Sequence, residues 1–205
     1  MLSAKDLACT RGDRLLFTQV NFQLHPGGLL YVLGENGSGK SSLLRILCGL
    51  SPPEQGSVMW NGEDIRRHAD AYRAELLYIG HLNALKDDLS AAENLRISSC
   101  VTGHDDGADR VRAALHAVRL ARCADLPVRN LSQGQKRRVA LASLWLSQAR
   151  LWILDEPYSA LDAAAIDLMA ARIGEHLASG GMAVLTTHQE VAIPAAGIQE
   201  LRLTP

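Results

Sequence analysis

Residues 34–41 read Gly-Glu-Asn-Gly-Ser-Gly-Lys-Ser and match the pattern G-x-x-x-x-G-K-[ST]. An apolar run at residues 29–33 precedes them, and a helical pattern over residues 42–50 follows. Between a strand and a helix, glycines let successive backbone N–H groups turn toward one anion, and the helix N-terminus adds a positive dipole end. The stretch therefore predicts a phosphate-binding loop at the end of a buried parallel strand.

The chemistry of this loop assigns roles to individual residues. We expect Lys40 to reach the β- and γ-phosphates of a nucleotide and the Ser41 hydroxyl to bind Mg²⁺. A nucleotide with Mg²⁺ is thus the expected ligand of the loop. The expected nucleotide-binding residues of the loop are Gly34, Glu35, Asn36, Gly37, Ser38, Gly39, Lys40, Ser41 and Ser42.

A second apolar strand pattern, at residues 151–154, ends in Asp155 and Glu156. Open parallel sheets bind ligands at the carboxyl ends of their strands, so these carboxylates are expected beside the loop. Asp155 is the candidate Mg²⁺ ligand. Glu156 is the candidate group that orients or deprotonates the attacking water.

Strand and helix patterns alternate along the chain and predict an α/β domain with a central parallel sheet. Patterns at residues 76–79 and 183–186 supply further buried strands, and residues 163–178 read as one helix. Helical patterns at residues 91–98 and 108–124 predict an inserted helical subdomain. We expect a single domain over residues 1–205, with its core and β subdomain in about residues 1–81 and 149–205 and its helical subdomain in about residues 82–148. Short antiparallel strands are expected at both ends of the chain.

The composition narrows the class of protein. The 205 residues carry 21 basic and 22 acidic side chains, a net charge of -1, which argues against a nucleic-acid partner. No apolar run reaches the roughly 18 residues of a membrane-spanning helix, so direct membrane insertion is not expected. Four cysteines without a Cys-x-x-Cys pair indicate reduced thiols rather than a zinc site. A soluble intracellular protein is expected.

Residues 131–135, Leu-Ser-Gln-Gly-Gln, open a helical pattern shortly before the second strand. Ser132 and Gln135 have the spacing of a capping box, and a capped helix start with a nearby glycine is also an anion site. The order of motifs in the chain, from the phosphate loop through this pentapeptide and the Asp155-Glu156 strand to residues 159–162 (Ser-Ala-Leu-Asp) and His188, resembles the ATPase subunits of ABC transporters.

The resemblance implies that two subunits pair head-to-tail as a homodimer and enclose two ATP molecules. Ser132, Gly134 and Gln135 would then act in trans, and Asp162 would cross the dimer interface. The candidate catalytic residues become Glu156, His188 and Lys40, with His188 contacting the γ-phosphate. Such a protein hydrolyses ATP and couples the hydrolysis to translocation.

Two positions depart from the family pattern. The glutamine that lies between the lobes in the family falls at His81, which leaves His81 as a further candidate metal ligand or hinge residue. The aromatic residue that stacks on adenine falls near Arg11. A guanidinium plane can stack on a base, and Phe17 is the alternative.

Finer motifs, including residues 78–81 and 144–146, resemble the ATP-binding subunit of the bacterial cytochrome c maturation system. That resemblance implies integral membrane permease subunits of the same complex as partners. It also implies a peripheral location on the cytoplasmic face of the inner membrane, and a role in haem export or in release of a haem-loaded periplasmic chaperone. A transporter with another cargo remains an alternative, and a non-transport ABC ATPase is a further one.

Several conspicuous residues are assigned structural roles. Residues 136–138 (Lys-Arg-Arg) are expected on a solvated helix face. Trp60, Trp145 and Trp152 are expected to anchor the core or an interface. Five histidines are expected at the surface or at helix ends: His25, His68, His104, His116 and His176.

Overall fold

The computed structural model describes residues 1–101, 107–189 and 191–203. Its central element is a five-stranded sheet in which every neighbouring pair is parallel. The strands are β3 (Gly28–Leu33), β6 (Leu76–Ile79), β7 (Leu151–Asp155), β8 (Met182–Thr186) and β9 (Gly197–Arg202). They lie in the order β6-β7-β8-β3-β9.

A second sheet of four antiparallel strands packs beside the first. It contains β1 (Leu2–Arg11), β2 (Arg14–Leu24), β4 (Gln55–Trp60) and β5 (Glu63–Asp64) in the order β2-β1-β4-β5. Asn61 and Gly62 have positive φ angles and form the hairpin turn between β4 and β5.

Six α-helices lie in the described residues, together with short 3₁₀ turns at Ala121–Cys123 and Val128–Asn130. The helices are α1 (Lys40–Leu47), α2 (Ala69–Ala74), α3 (Ala91–Val101), α4 (Ala108–Ala117), α5 (Gln133–Leu146) and α6 (Ala163–Ala178). Helices α3, α4 and α5 pack on one another. The predicted subdomain boundaries near residues 82 and 148 stay a prediction.

Strand β7 shows how the parallel sheet is covered on both faces. All of its residues are buried. Leu151 and Ile153 lie in one apolar cluster together with α1 and the antiparallel sheet, whereas Trp152 and Leu154 lie in another cluster with α5 and α6. Since successive side chains of a strand point to opposite faces, β7 lies between two packed layers. The predicted α/β fold with parallel and antiparallel sheets is confirmed.

Strand β9 corrects one prediction. We expected an antiparallel strand at the end of the chain, but β9 pairs with β3 in parallel, from Gly28 opposite Gly197 to Leu33 opposite Arg202. Most of β9 is exposed at the edge of the sheet. Without a buried face, its side chains carry no pattern that specifies a strand direction.

The predicted helix over residues 108–124 is also wrong in its extent, because α4 ends at Ala117. Arg119 takes a left-handed conformation with φ 61. The N–H of Leu120 donates to the carbonyl of Leu115 at 2.8 Å, and that of Arg119 donates to His116 at 2.9 Å. These two bonds form a Schellman motif, which terminates a helix. The sequence lacks the glycine that usually marks such an end.

The prediction for His176 is corrected in part, because it lies in the last turn of α6, as one alternative expected, but not at the surface. It is buried, and its ring stacks on Trp152 with centroids 3.7 Å apart and planes 2° from parallel. Burial lowers the pKa of its imidazole to about 4. His25, His68 and His116 are exposed as predicted, whereas His104 lies outside the described residues.

Candidate functional site

The loop between β3 and α1 is shaped by its glycines. Gly39 has φ 100 and lies against the core, where an added Cβ would come within 3.1 Å of the Phe17 ring. At Gly34, with φ 149, an added Cβ would lie 2.6 Å from the Ser38 hydroxyl. Side chains at either position would force the loop open. The loop therefore keeps the tight curl that a phosphate cradle requires.

Lys40 folds back over this loop. Its Nζ donates to the carbonyls of Gly34 at 2.7 Å and Glu35 at 3.0 Å, and the residue is only 7% exposed. Ser38 is also buried, and its hydroxyl has no hydrogen-bond partner in the described part of the chain. A buried donor without a partner is costly. A phosphate oxygen would satisfy it, so the loop fits a bound phosphate group.

Ser41 and Asp155 come together at the carboxyl end of β7. The Ser41 hydroxyl donates to Asp155 Oδ2 at 2.8 Å. The other carboxylate oxygen, Oδ1, accepts the Thr186 hydroxyl at 2.6 Å, and Asp155 is 3% exposed. A hydroxyl and one carboxylate beside a phosphate site form the oxygen donor set that Mg²⁺ prefers. Ser41 and Asp155, two of the three candidate metal ligands, are thus adjacent, whereas the third, His81, lies at Glu156.

Glu156 follows in a left-handed conformation with φ 49, which is strained for a residue with a side chain. Its N–H donates to the Thr186 hydroxyl at 2.8 Å. On its carboxylate, Oε1 lies 3.4 Å from His188 Nε2 and Oε2 lies 3.6 Å from His81 Nδ1. The Ser159 hydroxyl donates to Oε2 at 3.3 Å. The structure therefore places the two predicted histidines on opposite oxygens of one carboxylate.

A small cavity of about 40 Å³ lies beside Glu156 and has room for a water molecule. It is lined by Glu156, Tyr158, Ser159, Thr187, His188 and Gln189. The carboxylate borders this space and is 26% exposed. A water held there could lose a proton to Glu156 without a large rearrangement.

The pentapeptide at residues 131–135 starts α5 as predicted. Ser132 accepts the N–H of Gln135 at 3.2 Å, and the Gln135 side chain accepts the N–H of Ser132 at 2.8 Å. This capping box is confirmed. Ser132 is exposed. Within the described residues, no hydrogen bond or ion pair joins this segment to the loop at residues 34–42.

The remaining predicted positions are Asp162, Arg11 and Phe17. Asp162 caps α6 by accepting the N–H of Ala165 at 2.8 Å, and its carboxylate lies 3.8 Å from Arg138. Arg11 is exposed at the end of β1. Phe17 is only 2% exposed beneath the loop, so it is not free to stack on a base. Arg11 remains the candidate that stacks on adenine.

Two residues of the site were not found from the sequence. Thr186 is fully buried and joins Asp155 to the backbone of Glu156; its only signal is a hydroxyl in an otherwise apolar strand. Arg137 was expected on a solvated face, but it is 3% exposed. Its spacing from the buried residues Leu141 and Leu144 was the available signal, because positions four and seven apart share a helix face.

The chain matches the family model described as "ABC transporter" over residues 17–159. It is 49% identical to the "Cytochrome c biogenesis ATP-binding export protein CcmA" of Nitrosomonas europaea, with 100% of this chain and 96% of the relative covered. The protein of the same description from Dechloromonas aromatica is 51% identical, with 99% of this chain and all of the relative covered.

Solved structures agree on the fold. An ATP-binding subunit of an ABC transporter is 29% identical and superimposes with a TM-score of 0.82 over 92% of this chain and 79% of that one. A dimeric ATP-binding cassette bound to ADP and phosphate is 24% identical, with a TM-score of 0.80 over 92% of this chain and 88% of that one, and supports the fold alone. Among the described residues, no helix has the length and apolar character needed to cross a membrane. The chain belongs to the ABC transporter family as an ATPase, in the group of the cytochrome c biogenesis ATP-binding export proteins.

Proposed function

We propose that this ATPase is the energy-coupling subunit of a membrane ABC complex for cytochrome c biogenesis. It drives haem export or the release of a haem-loaded periplasmic chaperone. The name shared by relatives about half identical over the whole chain supports the pathway. The observation that carries the enzymatic part is the cluster of Lys40, Ser41, Asp155 and Glu156 at one edge of the sheet.

ATP binds with its phosphates over the loop at residues 34–39, and Lys40 neutralises the β- and γ-phosphates. Ser42 follows in the first turn of α1, where backbone N–H groups point toward the phosphates. Arg11 lies beside the adenine. Glu156 accepts a proton from the attacking water, and His188 contacts the γ-phosphate while it holds the Glu156 carboxylate in place. Positioning and charge stabilisation supply most of the acceleration in phosphoryl transfer.

Ser41 and Asp155 are the residues that hold Mg²⁺, with His81 as a further candidate ligand. Their oxygens already lie within hydrogen-bond distance of each other. Held by these two residues, Mg²⁺ would supply positive charge that stabilises the phosphates during their transfer. The His81 ring is exposed and lies beside the Glu156 carboxylate. From there it can approach the metal ion from the side on which the attacking water would lie.

The active unit is a homodimer in which each nucleotide lies between the loop of one subunit and the α5 start of the other. Ser132, Gly134 and Gln135 contact the nucleotide in trans, and Asp162 lies at the interface. Exposure of Ser132 and Asp162 supports this arrangement. The capped start of α5 offers N–H groups to an anion. Since closure supplies these donors, a lone subunit is nearly inactive.

The partners are integral membrane permease subunits of the cytochrome c maturation complex, on the cytoplasmic face of the bacterial inner membrane. The chain itself is peripheral, does not insert into the bilayer and binds no nucleic acid. A near-neutral balance of 21 basic and 22 acidic residues supports the last point. Cargo is selected by the membrane subunits.

The first test uses Glu156→Gln, which keeps the size of the side chain and removes the base. Hydrolysis should fall about 10²- to 10⁴-fold, whereas ATP binding should survive. Glu200→Gln is the matched control, because Glu200 lies on the exposed strand β9. Robust hydrolysis by the Glu156→Gln protein would contradict the assignment.

The second test identifies the partners. A tagged Glu156→Gln protein, held closed with ATP, is purified from gently solubilised membranes, and co-purifying proteins are identified by mass spectrometry. Recovery of cytochrome c maturation permeases supports the proposal. Recovery of a different permease would support the ATPase assignment and contradict the role in the haem pathway. Recovery of the protein from the soluble fraction alone would favour a non-transport ATPase.

A further inference from the structure

Arg137 donates hydrogen bonds to two segments of the site, residues 80–83 and residues 155–156. Its NH1 donates to the carbonyl of Gly80 at 2.9 Å and to the side-chain oxygen of Asn83 at 3.1 Å. Its NH2 donates to the carbonyls of Asp155 at 2.8 Å and Glu156 at 2.9 Å. Since Arg137 itself belongs to α5, one guanidinium joins that helix to the segment after β6 and to the turn after β7.

The Arg137 guanidinium is a buried charge to which no carboxylate in the described part of the chain is bonded. All four acceptors are neutral oxygens, so no direct ion pair cancels the charge. Burial lowers the pKa of Arg137, and the nearby carboxylates of Asp155 and Glu156 oppose that effect. The Arg137 Nε is also buried and has no hydrogen-bond partner among the described residues, so the four bonds offset the cost of burying this charge only in part. A planar guanidinium can meet several carbonyls in fixed directions, which a lysine ammonium cannot do.

One of the bonded carbonyls belongs to a residue with a strained backbone. Glu156 has φ 49, and its carbonyl accepts from Arg137 while its N–H donates to Thr186. Both ends of this residue are therefore held by side chains from other elements. Loss of either bond frees the turn to relax toward ordinary backbone angles and to move the carboxylate.

The same end of α5 is also tied to the segment that follows His81. Lys136 Nζ lies 2.9 Å from an Asp87 carboxylate oxygen. Asn94 accepts the N–H of Lys86 at 2.7 Å and donates to its carbonyl at 3.0 Å. Lys136 and Arg137 therefore connect the start of α5 to this segment and to the Glu156 turn, and Asn94 of α3 fixes the segment from its other side.

We infer that Arg137 is a positioning residue that fixes the position of the Glu156 carboxylate. Because Arg137 belongs to α5, it makes that position depend on the start of α5, where Ser132 is exposed. The inference rests on the proposed role of Glu156 as the base. Through Arg137, arrival of a nucleotide at the α5 start of one subunit is transmitted to the Glu156 turn of the same subunit.

The test compares the full chain with Arg137→Lys and Arg137→Met. We expect kcat for ATP hydrolysis to fall about tenfold to a hundredfold, while the Kd for ATP stays within about threefold. Amide hydrogen exchange at residues 156–159 should accelerate. Arg172→Met is the matched control, because Arg172 also donates to a carbonyl of α5, that of Leu144, but at the far end of the helix; its kcat should stay within about twofold.

A wild-type kcat for Arg137→Lys would overturn the inference, as would an equal loss in Arg172→Met. Failure of both Arg137 variants to fold would also overturn it and make Arg137 a general core support. A double variant with Glu156→Gln separates the two proposals. If Arg137 acts through Glu156, adding Arg137→Lys should cause little further loss. If Glu156→Gln alone hydrolyses ATP normally, the assignment of the base fails, whatever Arg137 does.

Discussion

Ser41 donates its hydroxyl to Oδ2 of Asp155 across 2.8 Å, although the two residues are 114 positions apart in the chain. Ser41 lies in the first turn of α1, and Asp155 ends β7. Parallel strands bring their carboxyl ends to one edge of a sheet, so helix start and strand end meet there. The two residues that we propose as Mg²⁺ ligands are thereby brought together from positions remote in sequence.

Removal of this hydroxyl should separate metal binding from nucleotide binding. In Ser41→Ala, the Kd for ATP should weaken at least about tenfold when Mg²⁺ is present. It should change little when Mg²⁺ is removed with a chelator, since the loop and Lys40 remain. Isothermal titration calorimetry with and without Mg²⁺ measures both values. Equal weakening in the two conditions would show that Ser41 only supports the loop.

Thr186 should affect both stability and turnover. Thr186→Val keeps the shape but leaves the N–H of Glu156 without its acceptor and Oδ1 of Asp155 without its donor. Unfolding free energy should fall by about 1–3 kcal/mol, and kcat should fall with it. Thr186→Ser keeps the hydroxyl and should retain turnover. Denaturant unfolding and ATPase assays test this, and equal kcat values for the two variants would refute it.

Two capping boxes allow a matched test of the α5 start. Ser90 and Glu93 cap α3 with bonds of 2.7 and 3.2 Å, much as Ser132 and Gln135 cap α5. Ser90→Ala and Ser132→Ala should each cost about 1 kcal/mol of stability. Only Ser132→Ala should also lower kcat/KM, by about tenfold or more. Similar kcat/KM values in the two variants would show that Ser132 only caps α5.

His176 should make the fold sensitive to acid. Its folded pKa, about 4, lies below the ordinary value of 6.5, so the unfolded chain takes up a proton first as the pH falls. The neutral His176 contributes its full share of the folding stability above pH 6.5. This share is lost as the pH falls from 6.5 to about 4, and it decreases no further below about 4. The loss should amount to about 3 kcal/mol.

The pH series is measured by denaturant unfolding and compared with His176→Phe, which keeps a ring against Trp152. That variant should show a shallower decline across the interval. His25→Phe changes an exposed histidine and should retain the wild-type decline. An unaltered slope in His176→Phe would mean that another group causes it.

The local patterns predicted much of the fold. Helix α6 has the predicted bounds, because an Ala-rich segment with a capping Asp162 and a terminal Gly180 carries its own start and stop signals. The turn at Asn61 and Gly62 was predictable for the same reason. Strand β9 and the end of α4 were not, since neither has a local signal for its direction or its stop.

The sequence by itself predicted the phosphate-binding loop and the carboxylates after β7, because each is a short contiguous pattern. It also determined the family, because several such patterns follow one another in a set order. Only the tertiary structure decided which residues support them. His81 and His188 meet at Glu156, and Arg137 turns inward, through packing between segments far apart in the chain. A side chain's burial and partners depend on what the fold places opposite it, and a linear pattern carries no record of those neighbours.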